Sequence, residues 1–187
     1  MRRAARFGAL AVLAAVPLLA ACAGEDDEFA NAARGRGMRV APLPAGVQAR
    51  IYESALRAGF DLGPDLVLLA DTRLLPRAAG LEGTDPLDPD VVLAMQRRNV
   101  VRGTCEPPVQ TRENPRCPSG RPGYVVRFSP VFQAPGDTVQ VHVAARRYDT
   151  PDAAATEVLR FEKVYQLVEA GNAWRVVREA RAPGGEQ

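Results

Sequence analysis

The hydrophobic pattern in the first half of the chain predicts two helices and one buried strand. Residues 47–58 are apolar at steps of three and four positions, and Gly59 follows as a stop signal, which is typical of an amphipathic helix. The nearly continuous apolar run at 65–71 predicts a strand that is buried on both faces. Asp88 is placed to cap a second helix that runs through Met95.

The C-terminal third of the chain alternates between apolar and polar residues, which predicts antiparallel strands. The predicted strands cover residues 124–132, 139–143, 157–169 and 174–182. Pro130 in the first of them indicates an edge strand or a bulge. Pro135-Gly136-Asp137 is a turn into the second strand, where valines occupy one face and Gln140 and His142 the other.

This order of elements belongs to the α+β class, because a helix, a strand and a second helix precede a run of about four antiparallel strands. We expect a single domain at 46–182, in which two helices pack on one face of a curved antiparallel sheet of about four to five strands. A disordered tail is expected at 183–187.

The last two predicted strands are joined by a two-residue turn at Gly171-Asn172. This turn places Leu167 opposite Val176, and Trp174 on the same face as both. The segment Gly171-Asn172-Ala173-Trp174-Arg175-Val176-Val177 resembles the final hairpin of the nuclear-transport-factor-like and cystatin-like folds. The resemblance would cover about 47–182 and implies a cone-shaped sheet. Members of these folds include enzymes, pocket binders and structural modules, so the resemblance fixes no chemistry.

The N-terminus has the organisation of a secretory signal. Three arginines lie within the first six residues, and an apolar run at 7–21 precedes a cysteine. The segment Leu19-Ala20-Ala21-Cys22 resembles the lipobox of bacterial lipoproteins. This resemblance implies a signal peptide at 1–21, a diacylglyceryl thioether on Cys22 and a further acyl chain on its amino group, an anchor that holds a protein durably to a membrane. A secretory signal with a chance cysteine is the alternative.

The residues after Cys22 bear on location. Ala23 stands where many double-membrane bacteria place an aspartate to retain a lipoprotein in the inner membrane, so the lipoprotein resemblance implies the outer membrane, facing the periplasm. Residues 22–45 combine an acidic patch with Arg-Gly repeats and two prolines, which is typical of a flexible tether.

The net charge argues against a nucleic-acid partner. Of the 24 basic side chains, three lie in the expected signal peptide, which leaves 21 against 22 acidic side chains in the mature chain. Proteins that bind nucleic acids usually carry a concentrated excess of positive charge. We therefore expect no nucleic-acid partner.

With Cys22 assigned to the lipid anchor, the remaining two of three cysteines, Cys105 and Cys117, make a pair. The periplasm permits disulfides, and a crosslink would tie the Pro-rich stretch between them into a compact loop. The alternative is a pair of free or redox-active thiols. A metal site would need further ligands, since the chain contains only one histidine, so no metal or cofactor is expected.

Candidate catalytic chemistry centres on the single histidine. The chain lacks a phosphate-binding glycine loop, a Gly-x-Ser-x-Gly segment and a His-Glu-x-x-His segment. If the sheet is curved, His142 could act as a base in a pocket, with Asp71 or Glu162 as its partner. The alternatives are that His142 is a solvent-facing or cross-strand residue and that Asp71 serves a turn.

Positive charge is concentrated between residues 97 and 127, where seven arginines stand against two glutamates. Arg98, Arg112 and Arg116 are candidates for binding an anionic ligand or an acidic envelope protein, because the guanidinium fork suits phosphate and carboxylate groups. The alternative is that these arginines solvate a loop and pair with the acidic stretch at 53–90.

Two classes of function remain from the sequence. The first is a membrane-anchored, non-catalytic cell-envelope lipoprotein that binds a partner protein or a small ligand. The second is a small enzyme with a pocket around His142. An apolar cavity in which His142 meets a carboxylate would favour the enzyme.

Overall fold

The computed structural model describes residues 38–62, 66–75, 85–105, 123–148 and 160–181. These residues form the helices α1 (Ala45–Gly59) and α2 (Pro89–Arg97), and the strands β1 (Leu68–Asp71), β2 (Gly103–Cys105), β3 (Gly123–Phe128), β4 (Phe132–Ala134), β5 (Thr138–Tyr148), β6 (Arg160–Ala170) and β7 (Ala173–Arg181). The α+β class is confirmed. The predicted tail at 183–187 lies outside the described residues.

The sheet has seven strands and is mixed, whereas the sequence predicted four to five antiparallel strands. Its order is β2-β1-β3-β5-β6-β7, and β4 pairs with β5 beside β3. β1 runs parallel to β2 and to β3, and the other pairs are antiparallel. The parallel pairing of β1 with β2 follows from the intervening helix α2, which carries the chain back to the same end of the sheet.

The helices form where their end signals predict. The side chain of Asp88 accepts a hydrogen bond of 2.8 Å from the amide of Asp90, which caps α2 as expected. α1 ends at Gly59, and Phe60 then turns to an extended conformation. The two helices contact each other, and α1 also contacts β5 and β7, where it buries Ile51 and Ala55. Within the described ranges, no helix is long and apolar enough to cross a membrane.

The strand predicted at 124–132 is interrupted, because Ser129 and Pro130 separate β3 from β4. Pro130 lies in a break between two strands, where the sequence predicted an edge or a bulge; proline lacks the amide hydrogen that a continuous strand requires. The backbone amide of Ser129 donates to the carbonyl of His142 (2.8 Å). In return, the hydroxyl of Ser129 accepts from the amide of His142 (2.9 Å). The serine side chain therefore replaces a backbone partner at the break.

The β6–β7 hairpin has the predicted register. Leu167 lies opposite Val176, and Gly171 adopts a φ of 63° in the turn, a conformation that glycine takes without strain. Further along, Leu167 and its neighbour Gln166 face Val176 and Arg178 respectively, so that Val177 has no opposite residue on β6. Because of this β-bulge, the side chains of β7 beyond Val176 alternate between the two faces of the sheet in the opposite phase from those before it.

The folded part of the chain begins earlier than the predicted end of the tether at residue 45. Val40 forms a bridge with Phe132 of β4, and the amide of Ala41 donates to the carbonyl of Val131 (2.8 Å). Ala41 is also buried in the core. Residues 39–41 thus extend the sheet at β4 and fix the point at which the preceding chain meets the domain.

Candidate functional site

His142 lies in the middle of β5, directly opposite Val164 of β6. Its exposure is 8%, and that of Gln140 on the same face is 3%, so the expected solvent-facing alternative for His142 is wrong. Val139, Val141 and Val143, on the other face of β5, belong to the core under the helices. β5 is therefore buried on both faces, although its alternating sequence is typical of a strand with one exposed face.

Asp71, the first carboxylate expected near His142, ends β1 and is only 9% exposed. Its Oδ1 accepts from the backbone amide of Arg73 at 2.8 Å and from Nε of the same residue at 3.4 Å, and Oδ2 lies 4.0 Å from Nε of Arg127. The Arg127 guanidinium also donates to the carbonyl of Leu74 at 2.7 Å. This arrangement is an Asx turn held by two arginines, as the turn alternative expected.

The sheet order separates Asp71 from His142 but places Glu162 on the neighbouring strand. β3 lies between β1 and β5, and Asp71 interacts with Arg127 of that strand. Ala144 faces Glu162 and His142 faces Val164, so His142 and Glu162 share one face as diagonal neighbours on β5 and β6. Diagonal neighbours have Cα atoms roughly 7–8 Å apart, which long side chains can span.

Of the three arginines proposed to bind an anion, Arg98 lies within the described residues. It follows the last residue of α2 and forms an ion pair with Glu53 of α1. Glu53 also accepts two bonds, of 3.0 and 2.9 Å, from Arg57. The carboxylate of Glu53 is largely buried, whereas both arginines remain about half exposed. The ion pair between Glu53 and Arg98 connects the two helices. It also matches the expected pairing of Arg98 with the acidic stretch at 53–90. Arg112 and Arg116 lie outside the described residues.

Cys105 ends β2 and is disulfide-bonded. It is 1% exposed and packs with Leu69 and Val125 on the sheet face that carries His142. Cys22 and Cys117 lie outside the described residues, so the assignment of Cys117 as the disulfide partner stays a prediction.

Two buried tyrosines were not singled out as candidates by the sequence. Tyr52 of α1 donates its hydroxyl hydrogen to the carbonyl of Ser129 (2.9 Å) and stacks on Phe128, with ring centroids 4.3 Å apart. Tyr165 of β6 is fully buried, and its hydroxyl has no hydrogen-bond partner among the described residues. Burial raises the pKa of both phenols above the usual 10.0, and the negative charge of Glu179 raises that of Tyr165 further. The sequence contained one signal of their burial: Tyr52 occupies an apolar position of an amphipathic helix, and Tyr165 an apolar position of an alternating strand.

The part of the chain that the structure describes contains no cluster of three or more potential metal-ligating side chains. An open depression of about 420 Å³ lies at the C-terminal end of α1 and is lined by residues 57–62. His142 and Glu162 are not among its lining residues. The depression is therefore not the pocket around His142 that the enzyme hypothesis requires.

Comparisons with known proteins do not add an assignment. No family model matches the chain, no curated protein matches it, and no solved structure matches it.

Proposed function

We propose that this chain is a lipid-anchored cell-envelope protein whose α+β domain serves as a non-catalytic binding or interaction module. The observation that carries the proposal is the lipobox-like segment Leu19-Ala20-Ala21-Cys22, which follows a basic start and an apolar run. The three acyl chains implied at Cys22 would hold the mature protein durably to the membrane. Ala23 supports the outer membrane, facing the periplasm.

The contacts of the described polar side chains support the non-catalytic part of the proposal. Asp71 holds a turn together with Arg73 and Arg127. Glu53 and Arg98 join the two helices. These structural contacts account for the positions of the carboxylates and guanidiniums. An anionic or acidic partner would therefore rest on Arg112 and Arg116.

The anchor is tested by replacing Cys22 with serine in the full chain expressed in a double-membrane bacterium. A serine hydroxyl cannot form the thioether, so we expect radiolabelled palmitate to be absent from Cys22→Ser and present in the unsubstituted chain. The protein should also leave the membrane fraction. Ala23→Ser is the matched control, because it changes the adjacent residue and keeps the thiol. Equal labelling of Cys22→Ser and the unsubstituted chain would contradict the proposal.

The binding module is tested by native mass spectrometry of a chain that starts at residue 38 and is exported to the periplasm. Residue 38 is the right start because residues 39–41 pair with β4. A small molecule that travels with the protein would identify a ligand-binding module and the ligand's chemistry. A bare protein would direct the search to envelope partners by crosslinking in cells.

A small enzyme is the second candidate, and the shared face of His142 and Glu162 on adjacent strands favours it. The test is the pair His142→Gln and Glu162→Gln, which keeps the size and polarity of each side chain. The leading proposal expects both variants to complement a deletion strain as well as the unsubstituted gene does. If both variants fold, as shown by circular dichroism, but lose the phenotype together, the enzyme hypothesis replaces the leading proposal.

A further inference from the structure

The sheet is buried on the face opposite the two helices, which we call the rear face. The strand registers place six buried residues on it: Leu69, Cys105, Val125, Gln140, His142 and Val164. The helices α1 and α2 bury their apolar side chains in the core on the other face. Within the described ranges, no helix or second sheet packs on the rear face. Its burial therefore requires a further segment of the chain.

The connection between β2 and β3, residues 106–122, begins and ends on opposite sides of β1. All three strands are parallel, and Cys105 at the end of β2 lies level with Asp71, whereas β3 starts one residue before the level of Leu68. The connection must therefore run back by about 13 Å and cross β1, a lateral distance of about 10 Å. Its 17 residues can span up to about 56 Å when extended, so they can also reach over β3 and β5.

The handedness of parallel connections assigns this crossing to the rear face. Connections between parallel strands of one sheet are right-handed in about 98% of cases. The connection from β1 to β2 and the connection from β2 to β3 move in opposite directions across the sheet, so right-handedness places them on opposite faces. The first contains α2, which lies on the helix face and contacts β2. The second therefore crosses on the rear face.

Cys105 provides independent support for the same placement. It is the last residue before the connection, and its side chain is buried on the rear face with Leu69 and Val125. It is disulfide-bonded, and its partner lies outside the described residues. Cys117, the predicted partner, belongs to residues 106–122. By contrast, residues 149–159 join the neighbouring antiparallel strands β5 and β6, a connection that need not cross a face.

We propose that residues 106–122 are the occupant of the rear face and pack across β1, β3 and β5. The domain then has three layers, with the sheet between the helices and this segment. The proposal does not depend on the lipid anchor. Its consequence for function is that His142 and Glu162, which share the rear face, meet the chain's own segment and not a substrate.

Photochemical crosslinking of the full chain tests the identity of the occupant. Ala144 lies on the rear face of β5, between Arg127 of β3 and Glu162 of β6. With p-benzoylphenylalanine at Ala144, irradiation should attach this position to residues 106–122, as mapped by mass spectrometry of tryptic peptides. Leu93, exposed on α2, is the matched control position. It should give at least about tenfold fewer crosslinks to 106–122, because it lies on the helix side of the sheet.

A second position guards against a labelled chain that does not fold. Arg146 is exposed on the rear face two residues further along β5, where a larger side chain meets less obstruction. Circular dichroism identifies the folded chains. Crosslinks from folded chains that map to another segment of the chain or to another protein would overturn the proposal. The absence of crosslinks from both positions would overturn it as well.

Val125 and Val126 provide a second, thermodynamic test, because these neighbours on β3 are buried on opposite faces of the sheet. The background is a chain in which Gly and Ser replace every residue of 106–122 except Cys117. In this background, the decrease in the urea midpoint caused by Val125→Ala should shrink by about half or more, since Val125 is no longer covered. Val126→Ala should lower the midpoint equally in both backgrounds. Equal effects of Val125→Ala in both backgrounds would contradict the proposal, and the crosslinks decide if the background does not fold.

Discussion

Replacing Tyr52 with alanine is expected to lower the free energy of unfolding by about 3–5 kcal/mol, because the change leaves a cavity in the core between α1 and the sheet. Tyr52 is fully buried and stacks on Phe128, which is also fully buried. Its hydroxyl is the hydrogen-bond donor to the carbonyl of Ser129 at the break between β3 and β4. The alanine variant loses the ring contacts and that hydrogen bond together.

Tyr52→Phe is the matched variant that separates the two contributions. It keeps the ring on Phe128 and removes only the donor to the Ser129 carbonyl, so the loss should be about 1–3 kcal/mol. Urea unfolding followed by the fluorescence of Trp174, the single tryptophan, measures both values. A Tyr52→Phe variant as stable as the unsubstituted chain would show that the Ser129 carbonyl does not depend on Tyr52.

The sequence predicts elements well where short-range chemistry specifies them. Asp88 caps α2 because its carboxylate is positioned for a nearby amide, and this requires no knowledge of the rest of the fold. The register of the β6–β7 hairpin follows from its two-residue turn, which leaves one arrangement for Leu167 and Val176. The interruption at Pro130 follows from the chemistry of the proline nitrogen.

The pairing partners of the strands could not be predicted in the same way. β2 has three residues, too few to show alternation, and the sequence predicted no strand there. An apolar pattern indicates that β1 is buried but does not specify which strands lie beside it. The sequence therefore allowed Asp71 to meet His142, whereas the strand order places β3 and Arg127 between them.

The burial of His142 was missed for a related reason. Alternation of valines with Gln140 and His142 indicates two different faces, and a polar face is usually solvent-exposed. In the structure, both faces of β5 are buried: Val139, Val141 and Val143 belong to the core under the helices, and Gln140 and His142 on the other face are only 3% and 8% exposed. The diagonal relation of His142 to Glu162 on one face follows from alternation only once the pairing register of β5 and β6 is known.

Raising the pH above 10 is expected to destabilise the protein through its two buried tyrosines. Burial raises the folded-state pKa of Tyr52 and Tyr165 above the value of 10.0 that they have when unfolded. Above pH 10 the unfolded chain therefore releases phenol protons that the folded chain retains. The stabilisation from these neutral phenols is complete below pH 10 and decreases as the pH rises, by up to about 1.4 kcal/mol per pH unit for each tyrosine.

Phenylalanine variants assign this pH dependence to individual residues and distinguish the two tyrosines at neutral pH. Tyr165→Phe should leave stability at pH 7 unchanged or raise it by up to roughly 1 kcal/mol, because the hydroxyl it removes is buried and has no hydrogen-bond partner within the described ranges. Tyr52→Phe should lower stability at pH 7, since its hydroxyl is hydrogen-bonded. Each variant should nevertheless reduce the decline of stability above pH 10, and the double variant should reduce it most. Urea unfolding at pH 7, 10 and 11 measures these differences. A double variant that declines as steeply as the unsubstituted chain would show that other groups cause the alkaline unfolding.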